Sequence, residues 1–299
     1  MKLRDSFHTY AVITVLLWSL SYVFTRLALR YFSSVNLGFL RFGIASVALI
    51  AGLVATKTPL PALRDLPWFF GKGITSFFLY MMAFNRGSKT VSAATISVII
   101  STSPILTALL VRIFYKEKLK TLQYVAIGIE FLGVFILTAL NGILTVNTGA
   151  LWLVLASFSG AVSNLFLRKL LQRYKAFPAT AYSILIGTVF MGIFSRGAIG
   201  ELRNAPGNQI VILLVLGLLP SAVAYVTWSE AFKKAKTTTS VTNYLFTTPF
   251  ITALLGLVAA GERLESSTII GGIVILAGMF VFHYGEKFFH KKAGNGKIL

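Results

Sequence analysis

Apolar residues run along this sequence in ten long stretches that are separated by short polar connections. A helix needs about 20 mostly apolar residues to cross the hydrocarbon core of a bilayer. The pattern therefore predicts ten spanning helices, at roughly 8–30, 33–56, 67–87, 92–115, 121–141, 148–172, 178–196, 208–232, 237–259 and 267–286. No connection is long enough to form a soluble domain, so the chain is predicted to be an all-α membrane protein.

The composition agrees with burial in lipid. Of the 299 residues 56% are apolar and 12% are charged, and the mean hydropathy is +0.78, whereas soluble proteins carry about 25% charged residues. A net charge of +19 would suit nucleic-acid binding only on a hydrophilic scaffold, which this composition excludes. The chain has no cysteine and three histidines near its ends, so no metal site, disulfide or thiol chemistry is expected.

The basic residues predict the orientation. With the N-terminus in the cytoplasm, 19 of the 28 Lys and Arg residues fall in cytoplasmic segments and 6 in external ones. Cytoplasmic connections are enriched in Lys and Arg, so both termini are predicted to be cytoplasmic. The first apolar stretch is too long for a signal peptide and has no small-residue cleavage site after it. We expect it to remain in the folded protein, with membrane lipid as a partner.

The two halves of the sequence resemble each other. A shift of 145 residues aligns four informative pairs without a gap: Tyr80 with Tyr225, Pro104 with Pro249, Glu117 with Glu262, and Gly133 with Gly278. The halves are thus 1–147 and 148–299, with five predicted helices each. Because five is odd, the second half must enter the membrane inverted. Inverted repeats around a central cavity are typical of transporters; a channel, receptor or membrane enzyme shares the pattern less often.

Short motifs make the resemblance to one family specific. The run Pro-x-x-Thr-Ala-Leu-Leu begins at Pro104 and again at Pro249, and Glu-Lys-Leu or Glu-Arg-Leu follows from Glu117 and Glu262. The runs Leu17-Trp18-Ser19 and Leu40-Arg41-Phe42 complete the pattern. The chain resembles the EamA family of the drug/metabolite transporter superfamily over nearly its whole length.

This resemblance implies a carrier of the bacterial or archaeal inner membrane that works by alternating access, often as an exporter of amino acids or related metabolites. It further implies a central cavity bordered by spans 1, 3, 4, 6, 8 and 9, with spans 5 and 10 peripheral. The chain has Trp18-Ser19 where many members have Trp-Gly, and the residue of the second half that aligns with Trp18 is Ala156. These motifs mark the fold and say little about the substrate.

Polar and aromatic side chains within the predicted spans are the candidate binding residues, because such groups in a membrane usually face a cavity or another helix. The candidates for substrate binding are Trp18, Tyr22, Arg26, Tyr80, Asn85, Asn164, Tyr225, Trp228, Asn243 and Tyr244. An aromatic cavity suits substrates with an apolar or planar part. The alternatives are that the polar groups hold helices together and that the aromatic rings form an interfacial belt.

Glu130 lies near the middle of the fifth predicted span, where an isolated carboxylate is costly and is expected to be protonated or paired. Arg41 and Lys72 are the candidate partners. A pair would fix helix packing; the alternative role is proton coupling. Pro104 and Pro249 each remove a helical hydrogen bond and are the candidate hinges.

Two other functions stay open at this point. A nucleotide-sugar or phosphorylated-metabolite exchanger would need several cations in the cavity, and only Arg26 clearly qualifies. A membrane enzyme or scaffold without transport activity is the alternative of another class. The tail from Gly294 to Lys297 lacks the spacing of a phosphate-binding loop, and no nucleophile and base share a region. No catalytic residue or cofactor is therefore predicted, and the chain is expected to be a monomer or a homodimer.

Overall fold

The structure, a computed structural model, describes residues 6–116, 121–139, 148–235, 238–261 and 266–294. Within these ranges the chain forms helices and short connections and no strand, which confirms the predicted all-α class. The α-helices are α1 Phe7–Ala28, α2 Ser34–Ala55, α3 Leu66–Lys72, α4 Tyr80–Gly87, α5 Ala93–Ile100, α6 Ser103–Tyr115, α7 Thr121–Ala139, α8 Thr148–Leu170, α9 Ala176–Phe194, α10 Ala198–Arg203, α11 Gly207–Leu218, α12 Ala224–Lys234, α13 Thr238–Thr242, α14 Thr248–Ala260 and α15 Ser266–Gly294.

Seven helical segments of the described chain are long and apolar enough to cross a membrane. They are Phe7–Ala28, Ser34–Ala55, Ala93–Tyr115, Thr148–Leu170, Ala176–Phe194, Gly207–Lys234 and Ser240–Ala259, and they correspond to predicted spans 1, 2, 4, 6, 7, 8 and 9. Helices α7 and α15 contain shorter apolar stretches, Thr121–Gly133 and Ile269–Phe282. The chain is therefore a multi-pass membrane protein, and the full count of ten spans stays a prediction.

Two helices contain a widened, π-helical segment. The first, Gly73–Leu79, joins α3 to α4, and the second, Leu219–Val223, joins α11 to α12. The second segment includes Pro220, which has no N–H to donate and so disturbs regular helical hydrogen bonding. Shifting Gly73–Leu79 by 145 residues covers Leu219–Val223. The two halves thus share a local distortion that is often found at functional sites.

Pro104 and Pro249 lie where two predicted spans are interrupted. Two residues separate the end of α5 from the start of α6, and Pro104 is in the first turn of α6. A 3-10 helix, Asn243–Thr247, precedes α14, and Pro249 is in the first turn of α14. Proline is favoured there because the N–H groups of a first turn lack helical partners anyway. The proposed hinge role of both residues stays a prediction.

Helices α7 and α15 pack against each other through a reciprocal glycine contact. A Cβ added to Gly133 would lie 2.5 Å from Cγ1 of Ile275, and one added to Gly278 would lie 2.7 Å from Cγ of Glu130. Ile275 and Gly278 are the counterparts of Glu130 and Gly133 at the 145-residue shift. Since the later residue of each helix meets the earlier residue of the other, the two helices run antiparallel.

Two carboxylates near helix ends help to connect the N-terminal part (6–139) to the C-terminal part (148–294). In the Asp65 clasp, the carboxylate of Asp65 accepts hydrogen bonds from Arg173 and Tyr174, between α8 and α9. In the Glu201 clasp, the carboxylate of Glu201 accepts from Nδ2 of Asn36 at 2.7 Å and from the backbone N–H of Ser33 at 3.0 Å. The predicted orientation assigns the Asp65 clasp to the cytoplasmic side and the Glu201 clasp to the outside.

Candidate functional site

A partly open cavity, with about 480 Å³ of empty space that includes its open side, lies between the N-terminal and C-terminal parts. Its walls come from predicted spans 1, 3, 4, 6, 8 and 9, which is the set of helices that the family resemblance implies. The N-terminal part contributes Trp18, Tyr22, Lys72, Ser76, Tyr80, Ile100 and Ser103, and the C-terminal part contributes Gly160, Ser163, Asn164, Tyr225, Trp228 and Leu245.

Aromatic rings dominate one wall of the cavity. The ring of Trp18 lies 5.0 Å from that of Trp228 and 5.2 Å from that of Tyr225, centre to centre. The indole Nε1 of Trp18 donates a hydrogen bond to the carbonyl oxygen of Pro220 at 3.3 Å. That carbonyl belongs to the second π-helical segment. The irregular helix thus fixes the orientation of a ring that faces the cavity.

Hydroxyl groups and one cation form a polar region of the same cavity. The ammonium of Lys72 donates to Oγ of Ser163 at 2.7 Å and to Oγ of Ser76 at 3.3 Å. It also lies 5.3 Å from the centre of the Phe77 ring, within the range of a cation–π contact. Lys72 is only 3% exposed. A buried cation therefore faces the cavity from the last turn of α3.

Asn164 and Gly160 extend the C-terminal side of the cavity along α8. The side-chain Nδ2 of Asn164 donates to Oγ1 of Thr107 at 3.2 Å, which connects α8 to α6. A Cβ at Gly160 would lie 3.4 Å from Cδ2 of Tyr80, an ordinary van der Waals distance. The absent side chain at Gly160 thus leaves space between α8 and Tyr80.

Six of the ten predicted binding residues line this cavity: Trp18, Tyr22, Tyr80, Asn164, Tyr225 and Trp228. The five aromatic rings of this set face one internal space, and their role in substrate binding stays a prediction.

The other predicted binding residues lie elsewhere or are not described. Arg26 is half-buried in α1 and does not line the cavity. Asn85 is buried and donates to the backbone carbonyl of Ser34 at 2.8 Å, a contact within the N-terminal part. The hydroxyl of Tyr244 hydrogen-bonds the ring of His8. The side chain of Asn243 lies outside the described residues.

The structure corrects the predicted pairing of Glu130 with Arg41 or Lys72. The guanidinium of Arg41 instead donates to Ser21, Thr25 and Ser221, at distances from 2.8 to 3.3 Å, and Lys72 is bound to serines as described above. Both carboxylate oxygens of Glu130 are buried without a hydrogen-bond partner in the described chain. The reason is tertiary: α7 places Glu130 against Gly278 of α15, away from both cations.

Lys72 as a cavity residue, with Ser76 and Ser163, escaped the sequence analysis. A signal was present, because Lys72, Ser76 and Tyr80 follow one another at intervals of four residues and so share one face of a helix. The sequence pattern assigns Lys72 only as a partner for Glu130 and does not single out Ser76 or Ser163.

Comparison with known proteins identifies the family. The model of the EamA-like transporter family matches residues 6–139 and again 147–284. The chain belongs to the EamA-like transporter family. Its curated EamA-type relatives include the transporter YdfC of Bacillus subtilis (strain 168), which is 30% identical over 88% of this chain and 86% of that protein.

Two further relatives carry names that state a substrate. The "Probable terminal-alkyne amino-acid exporter" of Streptantibioticus cattleyicolor is 27% identical over 91% of both chains. The "Probable amino-acid metabolite efflux pump" of Salmonella typhimurium is 24% identical over 95% of this chain and 96% of that one. A crystal structure with 18% identity aligns over 94% of this EamA protein and 97% of its own chain, with a TM-score of 0.64. That similarity shows a shared fold.

Proposed function

We propose that this EamA-type transporter moves amino acids or related small metabolites, in the outward direction, by alternating access. The observation that carries the proposal is the cavity between the two parts of the chain, with its aromatic wall and its buried cation. Aromatic faces suit an apolar side chain or an ammonium group, and a cation suits a carboxylate. The names of the relatives in Streptantibioticus and Salmonella support the same substrate class.

Alternating access requires two halves that can exchange conformations, and three features support an inverted repeat. The family model matches the chain twice. The π-helical segments and the proline-containing first turns recur at the 145-residue shift. The counterpart helices α7 and α15 run antiparallel, as expected when one half is inverted relative to the other. A parallel repeat about an axis normal to the membrane would instead make these counterparts parallel.

An exchanger of nucleotide sugars or phosphorylated metabolites is the less favoured alternative. Phosphate groups are usually held by several cations or by bidentate arginines. Among the described residues Lys72 is the one cation that lines the cavity; Arg41 does not line it and is hydrogen-bonded to three hydroxyl groups. A monoanionic substrate fits this arrangement better.

Glu130 is our candidate for proton coupling. It is 2% exposed, has no hydrogen-bond partner among the described residues, and borders an apolar pocket with Thr102 and Ile105. Thr102 also hydrogen-bonds Ser157 of α8 at 3.0 Å and directly precedes Ser103 of the central cavity. A change in the protonation of Glu130 would thus act next to the interruption between α5 and α6.

Counterflow in proteoliposomes tests the proposed function. Vesicles containing the purified protein are loaded with one unlabelled amino acid, and uptake of its labelled form is followed for a panel of amino acids. Saturable uptake that protein-free vesicles lack is the expected result for at least one member. Uptake of a nucleotide sugar or a sugar phosphate, and of no amino acid, would show that the protein is an exchanger of phosphorylated compounds instead. No flux of any compound would favour an enzyme or scaffold.

A further inference from the structure

We infer that Lys72 is the anchor for the carboxylate of the transported substrate. The inference rests on the proposed function, because it assumes that the cavity between the two parts of the chain is the transport site. It assigns the substrate class as compounds with one free carboxylate, and it assigns the binding of that group to Lys72 with Ser76 and Ser163. None of these three residues was expected in the site from the sequence.

The hydrogen bonding of Lys72 leaves room for one more acceptor. An ammonium group has three N–H donors. Two of them are directed at Oγ of Ser163 and Oγ of Ser76, and no third acceptor is present among the described residues. Because Lys72 lines the cavity, a ligand carboxylate can take the free donor. Each serine hydroxyl accepts from Lys72 and keeps its own O–H to donate to the same carboxylate.

A negative charge beside Lys72 would stabilise this region. No carboxylate of the described residues lies within 4 Å of the Lys72 ammonium, whereas Asp65 is paired with Arg173. Arg41 is a second buried cation, 2% exposed, and its partners are neutral hydroxyl groups. Burying a cation without a counter-ion is unfavourable. A substrate carboxylate at Lys72 supplies the missing negative charge.

The surroundings favour one carboxylate over a phosphate. Lys72 presents a single positive charge, which balances a carboxylate but not a phosphate monoester with its charge of about −1.5 to −2 at pH 7. Arg41 does not line the cavity, and its guanidinium donates to Ser21, Thr25 and Ser221. The remaining wall consists largely of the rings of Trp18, Tyr80 and Tyr225 and of other uncharged groups. A monocarboxylate with an apolar or ammonium-bearing remainder matches both parts of the cavity.

Comparison of acids with their amides tests this inference. The probes are L-phenylalanine and L-leucine, each against its own amide, as competitors in counterflow and as ligands that change tryptophan fluorescence of the purified protein. Trp18 and Trp228 in the cavity wall provide the signal. We expect the wild-type protein to bind each acid about tenfold or more tightly than its amide, because a hydrogen bond to a charged group supports a difference of that order. In Lys72→Met the preference should fall to about one.

Two further variants separate this role from a structural one. Lys72→Gln is neutral, keeps a hydrogen-bonding group for Ser163, and should also lose the preference for acids. Lys169→Met is the matched control: Lys169 lies over the ring of Trp68 at 5.6 Å and does not line the cavity, so its preference should equal that of the wild type. If Lys72→Met and Lys72→Gln fold and still prefer the acids as the wild type does, the inference is wrong while the proposed function stands.

A third probe distinguishes a failure of the proposed amino-acid transport from a failure of the carboxylate anchor at Lys72. 3-Phenylpropanoate has a carboxylate but no ammonium group, so its binding reports on the anchor alone. If the wild type transports no amino acid but binds 3-phenylpropanoate in a manner that Lys72→Met abolishes, the proposed function fails and the carboxylate anchor stands. If it binds neither 3-phenylpropanoate nor the amino acids, Lys72 is not an anchor for carboxylates.

Discussion

The hydroxyl of Tyr174 donates a hydrogen bond to the carboxylate of Asp65 at 2.9 Å, which fastens the connection between α2 and α3 to the connection between α8 and α9. Arg173 donates to the same carboxylate. Burial raises the pKa of Asp65, but the hydrogen bonds from Tyr174 and Arg173 and the charges of Arg173 and Arg64 outweigh that effect and hold the pKa below its ordinary value of 3.8.

The lowered pKa of Asp65 predicts a pH-dependent contribution to stability. A carboxyl group whose pKa is lower in the folded than in the unfolded state stabilises the fold above its unfolded pKa. This contribution is lost as the pH falls through the lowered folded pKa. We expect Asp65→Asn to lower the melting temperature at pH 7, and the difference from the wild type to shrink below about pH 4. Melting curves of both proteins from pH 7 to pH 3 measure it.

Tyr174→Phe is the control for the Asp65 prediction. It removes the hydrogen bond to Asp65 and the one that the backbone N–H of Ala62 donates to the same hydroxyl. Because the pair of Arg173 and Asp65 stays in place, the effect of Tyr174→Phe on the melting temperature should depend less on pH than that of Asp65→Asn. A difference between Asp65→Asn and the wild type that stays constant down to pH 3 would show that the carboxylate does not stabilise the fold by its charge.

Removal of the Trp18 ring should impair transport without unfolding the protein. Trp18→Ala removes the contacts with Trp228 and Tyr225 and the bond to Pro220. Stacking and cation–π contacts contribute about 1–2 kcal/mol, so the apparent affinity for substrate should fall about tenfold. The measurement is counterflow at several substrate concentrations, normalised to folded protein in the vesicles.

Trp152→Ala is the matched control for Trp18. Trp152 lies on α8, is 37% exposed, and does not line the cavity, so its loss should leave the affinity for substrate unchanged. Equal effects of Trp18→Ala and Trp152→Ala would contradict a binding role for Trp18.

The size of the side chain at position 160 should control what the cavity accepts. Gly160→Ala adds a methyl at an ordinary distance from Tyr80 and should leave transport nearly unchanged. Gly160→Leu projects into the space between α8 and Tyr80 and should reduce transport of large amino acids more than that of small ones. The ratio of leucine to alanine counterflow measures this.

Gly128→Leu is the control for position 160. A Cβ at Gly128 has no neighbour within 4 Å, and this residue is exposed on α7, so the ratio should be that of the wild type. Normal transport of large substrates by a folded Gly160→Leu variant would argue against transport through this cavity.

Much of the fold could be predicted from the sequence, because the lengths of the apolar stretches and the positions of turn residues are local properties of the chain. The interruptions at Pro104 and Pro249 follow from the chemistry of proline itself. The role of Lys72 was not predictable in the same way. Its orientation depends on the rotation of α3, and the π-helical segment that follows shifts the helical phase, which an apolar pattern does not reveal.

Some predicted binding residues lie away from the cavity because tertiary contacts, which the sequence pattern does not reveal, hold them elsewhere. Asn85 lies at the end of α4, where the carbonyl of Ser34 is within reach, and Tyr244 lies beside His8. Both contacts join residues distant in sequence. The isolation of Glu130 likewise depends on its packing against Gly278, which the list of charged residues in the sequence does not reveal.

Glu130→Gln tests proton coupling. The substitution keeps the side-chain volume beside Gly278 and removes the titratable group, so the protein should fold. We expect counterflow without a pH gradient to continue at close to the wild-type rate, and the stimulation of transport by a pH gradient to disappear. The measurement is uptake with and without an imposed gradient. Stimulation that persists in Glu130→Gln would assign proton coupling, if it occurs, to another group.

The most direct test of the account is the accessibility of position 160 from both sides of the membrane. The chain has no cysteine, so Gly160→Cys gives a single thiol in the cavity wall without further changes. Membrane-impermeant thiol reagents are applied to right-side-out and to inside-out vesicles, with and without a transported amino acid. We expect labelling in both vesicle types, slowed by the amino acid. Labelling from one side only, or labelling that substrate leaves unchanged, would contradict a substrate cavity that opens alternately to the two sides.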